Sequence, residues 1–378
     1  MPTSSAQMIS VRWWNANAYY AVSLAKVLHE AGHSALVAGR AGSPPLEKAA
    51  AWHLDTLDTL DFESNNPITL SKSITRLKSA IKQRSIQIIS AHRPQDVLFG
   101  YLARKQLRDK PILIRSVSDV RAPKNNAINR HLHISAIDYI IFSCHAIRNR
   151  YLKIWPHLAQ KSSVVYSAVD TDHFFSEYQS DMREALQIPE ESCVFGLIAR
   201  LSPVKDHVTF LEAAALAHKE CPESIFIISG EDFEISMDEL IERARELEID
   251  KSLRFLGKAN DVRDIIQTLD VGVICSTGSE VICRIAAEYM AMGKPVISSR
   301  INILPEMIID GENGATFPAA SAKALAARLI DFAKDRSLCK QLGKNARVHA
   351  EQKFSYETFA RETLHIYRHL LKQKQMEA

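Results

Sequence analysis

Long hydrophobic runs are missing from this 378-residue chain. No stretch approaches eighteen consecutive apolar residues, which excludes an evident transmembrane helix. The opening MPTSSAQMISVRWW has neither a basic nor an apolar leader region, so no secretory signal is expected. Cysteine is scarce and scattered. Cys144, Cys193, Cys221, Cys275, Cys283 and Cys339 form no C-x-x-C and no zinc spacing, which fits reduced thiols in the cytoplasm. Glycine-rich phosphate loops are also absent. No G-x-G-x-x-G follows the first strand and there is no Walker loop, so nicotinamide and P-loop readings lack their glycines. There is no Lys/Arg run, RNA-binding signature or helix-turn-helix pattern, and nucleic acid is not an expected partner.

What is present is an ordinary globular composition, 46% hydrophobic and 24% charged, at a length that suits two domains. The net charge of +3 hides an asymmetry. Residues 1–172 hold 22 Lys and Arg against 12 Asp and Glu, whereas residues 173–378 hold 25 against 32. A basic first half suggests an anionic partner there, such as a phosphorylated acceptor or an anionic membrane surface.

Strand and helix patterns alternate, which predicts an α/β fold with parallel sheets. In the first half strands are expected at 8–13, 35–38, 86–90, 111–115 and 139–143, and helices at 20–30, 71–84 and 146–152. Pro44 and Pro45 suggest a loop. The run DTLDTLD at 55–61 invites a metal reading, but its spacing suits a solvated loop or helix surface better. The helix at 71–84 is basic and amphipathic, with Ile74, Leu77 and Ile81 on one face; it either covers a sheet or lies on an anionic membrane. The second half restarts the pattern with strands at 193–198, 224–229, 253–256, 271–274 and 295–297. Helices are expected at 208–219, 237–247, 284–292, 321–334 and 356–371, with another ending near Leu269. The domain division is placed at 171/172. No low-complexity linker separates the halves, which implies that they share a cleft.

The central stretch is 275–297, CSTGSEVICRIAAEYMAMGKPVI. Gly278 and Ser279 break an apolar strand, and Arg284 opens a helix. Gly293 and Pro295 then end that helix before a second strand. Glu280 lies in the loop at a strand tip, and Glu288 lies two turns into the helix. Ligands of open α/β sheets bind outside the carboxyl ends of strands, so both acids border such a crevice. The alternative is a solvated Glu280 and an Arg284–Glu288 pair at i,i+4.

Arg200 and Lys205, in GLIARLSPVK, lie just past the first strand of the second half. There a guanidinium fork, an ammonium and a helix N-terminus could clamp a diphosphate. Exposed loop cations are the alternative. In the first half His92 ends a strand, Asn15 and Asn17 follow the first one, and Arg115, Asp119 and Arg121 are candidates for an anionic acceptor site or a structural ion pair.

The Glu–seven residues–Glu spacing followed by Gly-Lys-Pro-Val resembles the signature of retaining glycosyltransferases of family 4, which have the GT-B fold. The segment from Ala199 to Lys205 is similar to the one that holds the donor's phosphates in that family, with Ala199 where glycine is usual. The resemblance implies two Rossmann-like doubly wound domains, 1–171 for the acceptor and 172–355 for the nucleotide sugar, with the last helix, 356–378, packed back on the first domain. It implies donor contacts from Arg200, Lys205, Gly230, Val262, Ser279, Arg284 and Glu288, with Glu288 on the ribose and Glu280 on the transferred sugar. His92 would face the donor sugar, and Asn15, Asn17, Arg115 and Arg121 the acceptor. Catalysis would rest on Glu280, Arg200, Lys205 and His92 through an internal-return displacement, without metal or other cofactor.

The sequence departs from the family pattern in two places. Gly-Phe-Gly is replaced by Val281, Ile282 and Cys283, and acids follow Gly230. The D-x-D form at Asp170 and Asp172 falls in the interdomain connection and is not expected to bind metal. The implied acceptor is a glycan or lipid-linked molecule, of lipopolysaccharide or envelope type, met at the inner face of the cytoplasmic membrane. A GT-B nucleotide-sugar epimerase and a silent nucleotide-sugar-binding module are the alternative functions.

Overall fold

A computed structural model describes residues 2–58, 60–61, 64, 66–105 and 107–377. The chain divides into two compact units, residues 1–167 with 356–378, and residues 168–355.

The first unit is a seven-stranded parallel sheet in the order β3-β2-β1-β4-β5-β6-β7. Its strands are β1 Ser4–Ile9, β2 Ser34–Gly39, β3 Asp55–Leu57, β4 Ile88–Ala91, β5 Ile112–Val117, β6 Tyr139–Phe142 and β7 Ser162–Val164. All the central strands are buried, as a sheet covered on both faces requires. The last helix, Tyr356–Glu377, packs in this unit. Phe359 meets the ring of Tyr20 edge-on at 5.0 Å, and the Tyr367 hydroxyl lies 3.4 Å from the Gln7 amide of β1.

The second unit is a six-stranded parallel sheet in the order β10-β9-β8-β11-β12-β13. Here the strands are β8 Val194–Ile198, β9 Ile225–Ser229, β10 Leu253–Leu256, β11 Val271–Ile274, β12 Val296–Ser299 and β13 Gly314–Phe317. The strand order reverses between β1 and β4 in the first unit and between β8 and β11 in the second. At such points the chain leaves neighbouring strands in opposite directions and a crevice opens above their carboxyl ends.

Several expectations moved. The first strand lies earlier than 8–13, because its face is completed by the buried polar Ser5 and Gln7, while the apolar Trp13 is 73% exposed in a loop. Pro44 and Pro45 open a helix, Pro44–Ala51; proline at the first helical positions sacrifices no amide that the helix would have used. Part of the DTLDTLD run is the edge strand β3, paired with β2, and its Thr59 lies outside the described residues. Helices Pro94–Lys105 and Arg336–Phe354 and strand β13 were not anticipated. The basic helix runs from Pro67 to Gln83 and buries Ser73, Leu77, Ala80 and Ile81, while Lys72, Arg76 and Lys82 are exposed. Its apolar stripe is buried, and the helix packs chiefly against helix Pro94–Lys105.

Candidate functional site

The crevice of the second unit gathers most of the motif residues. Lys205 ends a short 3-10 turn, Pro203–Lys205, just past β8. Asp206 follows in the left-handed region and caps helix His207–Glu220, accepting from the Thr209 amide at 3.3 Å. This turn aims the lysine ammonium across the switch point at Glu280. The two form a direct ion pair, and the Ser276 hydroxyl donates to the same carboxylate oxygen at 2.7 Å. The Glu280 side chain is only 4% exposed, while Lys205 stays partly open to solvent at 23%. Burial works against the Lys205 ammonium, but Glu280 and Cys283 beside it raise its pKa above the ordinary lysine value. The motif therefore joins two residues that the sequence had assigned to separate parts of the donor.

Ser279 supplies the left-handed turn of the loop, at φ 56°, and Val281, Ile282 and Cys283 are buried apolar residues rather than flexible loop. Where relatives place glycine amides, this chain packs a small core. Glu288 is 5% exposed on helix Arg284–Ala291, with Arg284 at 3.1 Å as the i,i+4 alternative foresaw. Arg200 stacks its guanidinium 4.0 Å over the ring of Phe233, close enough to Lys205 to oppose that lysine's protonation.

Tyr289, next to Glu288, was not foreseen. Its buried hydroxyl accepts from the Ile198 amide and donates to the Gly196 carbonyl, both at 3.1 Å. β8 and β11 pair only at Val271–Phe195 and Gly272–Gly196, and the phenol satisfies the β8 groups where the strands part. Gly272 makes room for the ring, since a Cβ there would lie 2.3 Å from it. Invisible spacing, not motif, sets this wedge.

Two donor-side candidates sit elsewhere. A Cβ on Gly230 would lie 1.9 Å from the Ala199 carbonyl oxygen, so close packing of neighbouring strand ends accounts for that glycine. Val262 opens helix Val262–Thr268 beyond the edge strand β10, two strands from β8. Asp170 of the D-x-D lookalike accepts from the amides of Asp172 and His173 at 3.2 and 3.1 Å, as a turn residue does.

The first unit has its own cavity, of about 530 Å³, at the β1/β4 switch point. It brings together all the acceptor-side candidates, Asn15, Asn17, Arg115 and Arg121, along with His92. Asn15 caps helix Ala16–Glu30, accepting from the Ala18 amide at 3.0 Å, and Asn17 accepts from the Ser118 hydroxyl. His92 is fully buried, and its Nε2 lies 3.1 Å from the Gln7 amide oxygen, which assigns the proton to Nε2 and leaves Nδ1 as an unpartnered acceptor. Burial, reinforced by Arg115, lowers its pKa to about 3, so the ring is neutral at physiological pH. Asp119 and Arg121 form the bidentate pair left open by the sequence, with contacts of 3.1 and 2.8 Å. Sequence reasoning missed Arg12, Arg93, His133 and Tyr151 on the same lining. Arg93 had a signal in following His92 directly; the other three had none.

Two doubly wound parallel-sheet units, each with residues gathered at its switch point, define the GT-B class of nucleotide-sugar folds. A family model for glycosyltransferase family 4 matches residues 18–173, and one for glycosyl transferases group 1 matches residues 179–349. The chain belongs to these group 1, family 4 glycosyltransferases. It is similar to a D-inositol 3-phosphate glycosyltransferase of Saccharomonospora viridis, 24% identical over 259 residues, 66% of this chain and 60% of that one. It is also similar to an N-acetyl-alpha-D-glucosaminyl L-malate synthase of Bacillus anthracis, 23% identical over 209 residues, 55% of this chain and 54% of that one. The chain thus spans less than two thirds of these curated relatives. Among solved structures, Anabaena HepE in complex with UDP matches with a TM-score of 0.84 at 19% identity, covering 97% of this chain and 100% of that one.

Proposed function

We propose that the protein is a retaining glycosyltransferase that takes a sugar from a nucleotide-diphosphate donor in the second unit and delivers it to an acceptor held by the first. The observation that carries this reading is the Lys205–Glu280–Ser276 cluster above the β8/β11 switch point, with Glu288 on the adjoining helix. Lys205 and Arg200 would stabilise the charge that develops on the leaving diphosphate, the moment at which cations lower a barrier rather than merely bind. Glu288, a buried carboxyl group on a helix, can accept two ribose hydroxyls. The unpartnered Nδ1 of His92 is an acceptor suited to a sugar hydroxyl.

Glu280 has a double task in this scheme. In the ligand-free chain it holds Lys205; with donor bound, the ammonium would turn to the diphosphate and free the carboxylate for a sugar hydroxyl. The reaction needs no metal in this account, because the two cations supply the positive charge. The UDP bound by HepE makes UDP the first donor nucleotide to try. A lipid-linked or envelope glycan acceptor is supported by the basic first half, and the exposed Lys72, Arg76 and Lys82 of the basic helix favour work at the inner face of an anionic membrane. Among the described residues no helix is long and apolar enough to cross one.

The test is transfer from labelled UDP-sugars to acceptor extracts by the wild type and by Arg200→Ala, Lys205→Ala. Activity should be abolished in the double variant. Full activity without both cations would sink the reading.

A further inference from the structure

The cavity of the first unit has a charge problem that its own residues do not solve. Arg115 is 3% exposed at the carboxyl end of β5. Its Nη1 donates to the carbonyls of Ala91 and Ser116, its Nε has no partner, and no ion pair joins it to a carboxylate among the described residues. Burial depresses its pKa although Asp96 and Asp119 act from nearby, yet a guanidinium remains charged, and a desolvated charge whose hydrogen bonds go only to carbonyls is costly. Arg12, Arg93 and Arg121 share the lining. The lining has a single carboxylate, Asp119, already gripped in bidentate fashion by Arg121.

The histidines do not change the sign. His92 and His133 are both pushed to about 3, by burial first and then by Arg115, so they enter as neutral rings. The N-terminus of helix Ala16–Glu30 borders the cavity through Asn15 and Asn17 and adds its partial positive charge. The side-chain amides of Asn15, Asn17, Gln95 and Asn129 on the lining can meet hydroxyls, but they bring no negative charge to answer the arginines.

We propose that this cavity takes its ligand by an anionic group, a phosphate or a carboxylate, set against Arg115 with Arg12 and Arg121 at the mouth. The assignment of that ligand as the acceptor rests on the reading above; the anion site itself does not. The cavity volume of about 530 Å³ suits a small phosphorylated or carboxylated molecule, or the headgroup end of a larger lipid. The anion would lie against the unpartnered side of a guanidinium that the fold has already desolvated and oriented, which strengthens a charge-assisted hydrogen bond.

The probe is inorganic phosphate, followed by ³¹P line broadening at constant ionic strength, with glycerol phosphate and phosphatidylglycerol vesicles as competitors. Three full-length proteins are compared: wild type, Arg12→Ala with Arg121→Ala, and Arg200→Ala with Lys205→Ala. Arg12 and Arg121 are exposed, so their removal leaves the core intact. Phosphate should bind the wild type and the Arg200/Lys205 variant alike, and the Arg12/Arg121 variant about tenfold or more weakly. Competition by glycerol phosphate would point to a free acceptor, and competition by vesicles alone to a lipid headgroup; both agree with the proposal. Equal binding by the Arg12/Arg121 variant, no binding by the wild type, or loss of binding in the Arg200/Lys205 variant would overturn it. UDP binding, measured in parallel, separates the two claims. Phosphate without UDP binding leaves the anion site standing and the donor reading fallen, and UDP without phosphate binding does the reverse.

Discussion

The two switch points use charge in opposite ways. In the second unit two of the three cations that border the crevice have a carboxylate to hand, Lys205 with Glu280 and Arg284 with Glu288, while Arg200 lies over the ring of Phe233. In the first unit four arginines line a cavity with one carboxylate. The difference teaches what a site must do with its charge before a ligand arrives. In the proposed scheme Lys205, which would meet the leaving diphosphate, is kept in place and its desolvation offset by an internal anion that can be exchanged. A cation that selects a ligand can stand against carbonyl dipoles and wait for the ligand's own charge.

The comparison can be broken most sharply at Lys205. Lys205→Met leaves Glu280 buried and unpaired and should cost roughly 3 kcal/mol or more, by urea unfolding. Adding Glu280→Gln should restore most of it. A single variant as stable as wild type would mean that the pair is not the internal store of charge described above. A cycle in the first unit should differ, since the exposed Arg121–Asp119 pair is worth at most about 1 kcal/mol and its loss belongs in binding rather than stability.

Next in size is the response to acid. His92 and His133 are held neutral down to about pH 3, and His207, in the second unit, down to about pH 4, largely by burial. Their stabilisation is complete above the unfolded histidine value near 6.5 and is lost as pH falls toward those folded values, by about 1.4 kcal/mol per pH unit for each ring. Asp96 works the other way. Burial raises its carboxyl to about 6 despite the Ser10 hydroxyl bonded to it, so its contribution is full below pH 3.8 and lost as pH rises through 6. Three rings against one carboxyl predict net loss of stability between pH 6.5 and 4. Unfolding midpoints flat across that range would contradict the buried, neutral rings, and a His92→Gln variant should show a shallower slope.

Smaller again is the wedge. Tyr289→Phe keeps the ring but leaves the Ile198 amide and the Gly196 carbonyl without the phenol, at about 1–3 kcal/mol. The same loss should appear as weaker donor binding, because Lys205 is set by the strand end the phenol holds. Unchanged affinity with reduced stability would make the tyrosine a fold residue alone.

The unequal legibility of the two sites has a physical origin. Glu280, Arg284 and Glu288 belong to one loop and helix, and Arg200 and Lys205 to one strand exit, so spacing along the chain already encodes spacing in space. The cavity of the first unit draws on the exits of β1, β4 and β5 together with His133 and Tyr151 from separate helical segments, and no local pattern records that convergence. Alternation of strand and helix exposed the layered parallel architecture. It missed β13, only 4 residues long and opened by a glycine, and helix Pro94–Lys105, whose start is masked by a proline that reads as a break. The pairing of Lys205 with Glu280 lay beyond sequence as well, since 75 residues separate them and only the adjacency of β8 and β11 joins them.

The most direct measurement is differential scanning of the intact chain with UDP, GDP, ADP and CMP, beside a Glu288→Ala variant. A ligand that binds only the folded state raises apparent stability. The account predicts that one nucleoside diphosphate shifts the wild type and leaves the variant unmoved. A shift of equal size in both proteins, or none from any nucleotide, would contradict a donor site at the β8/β11 switch point.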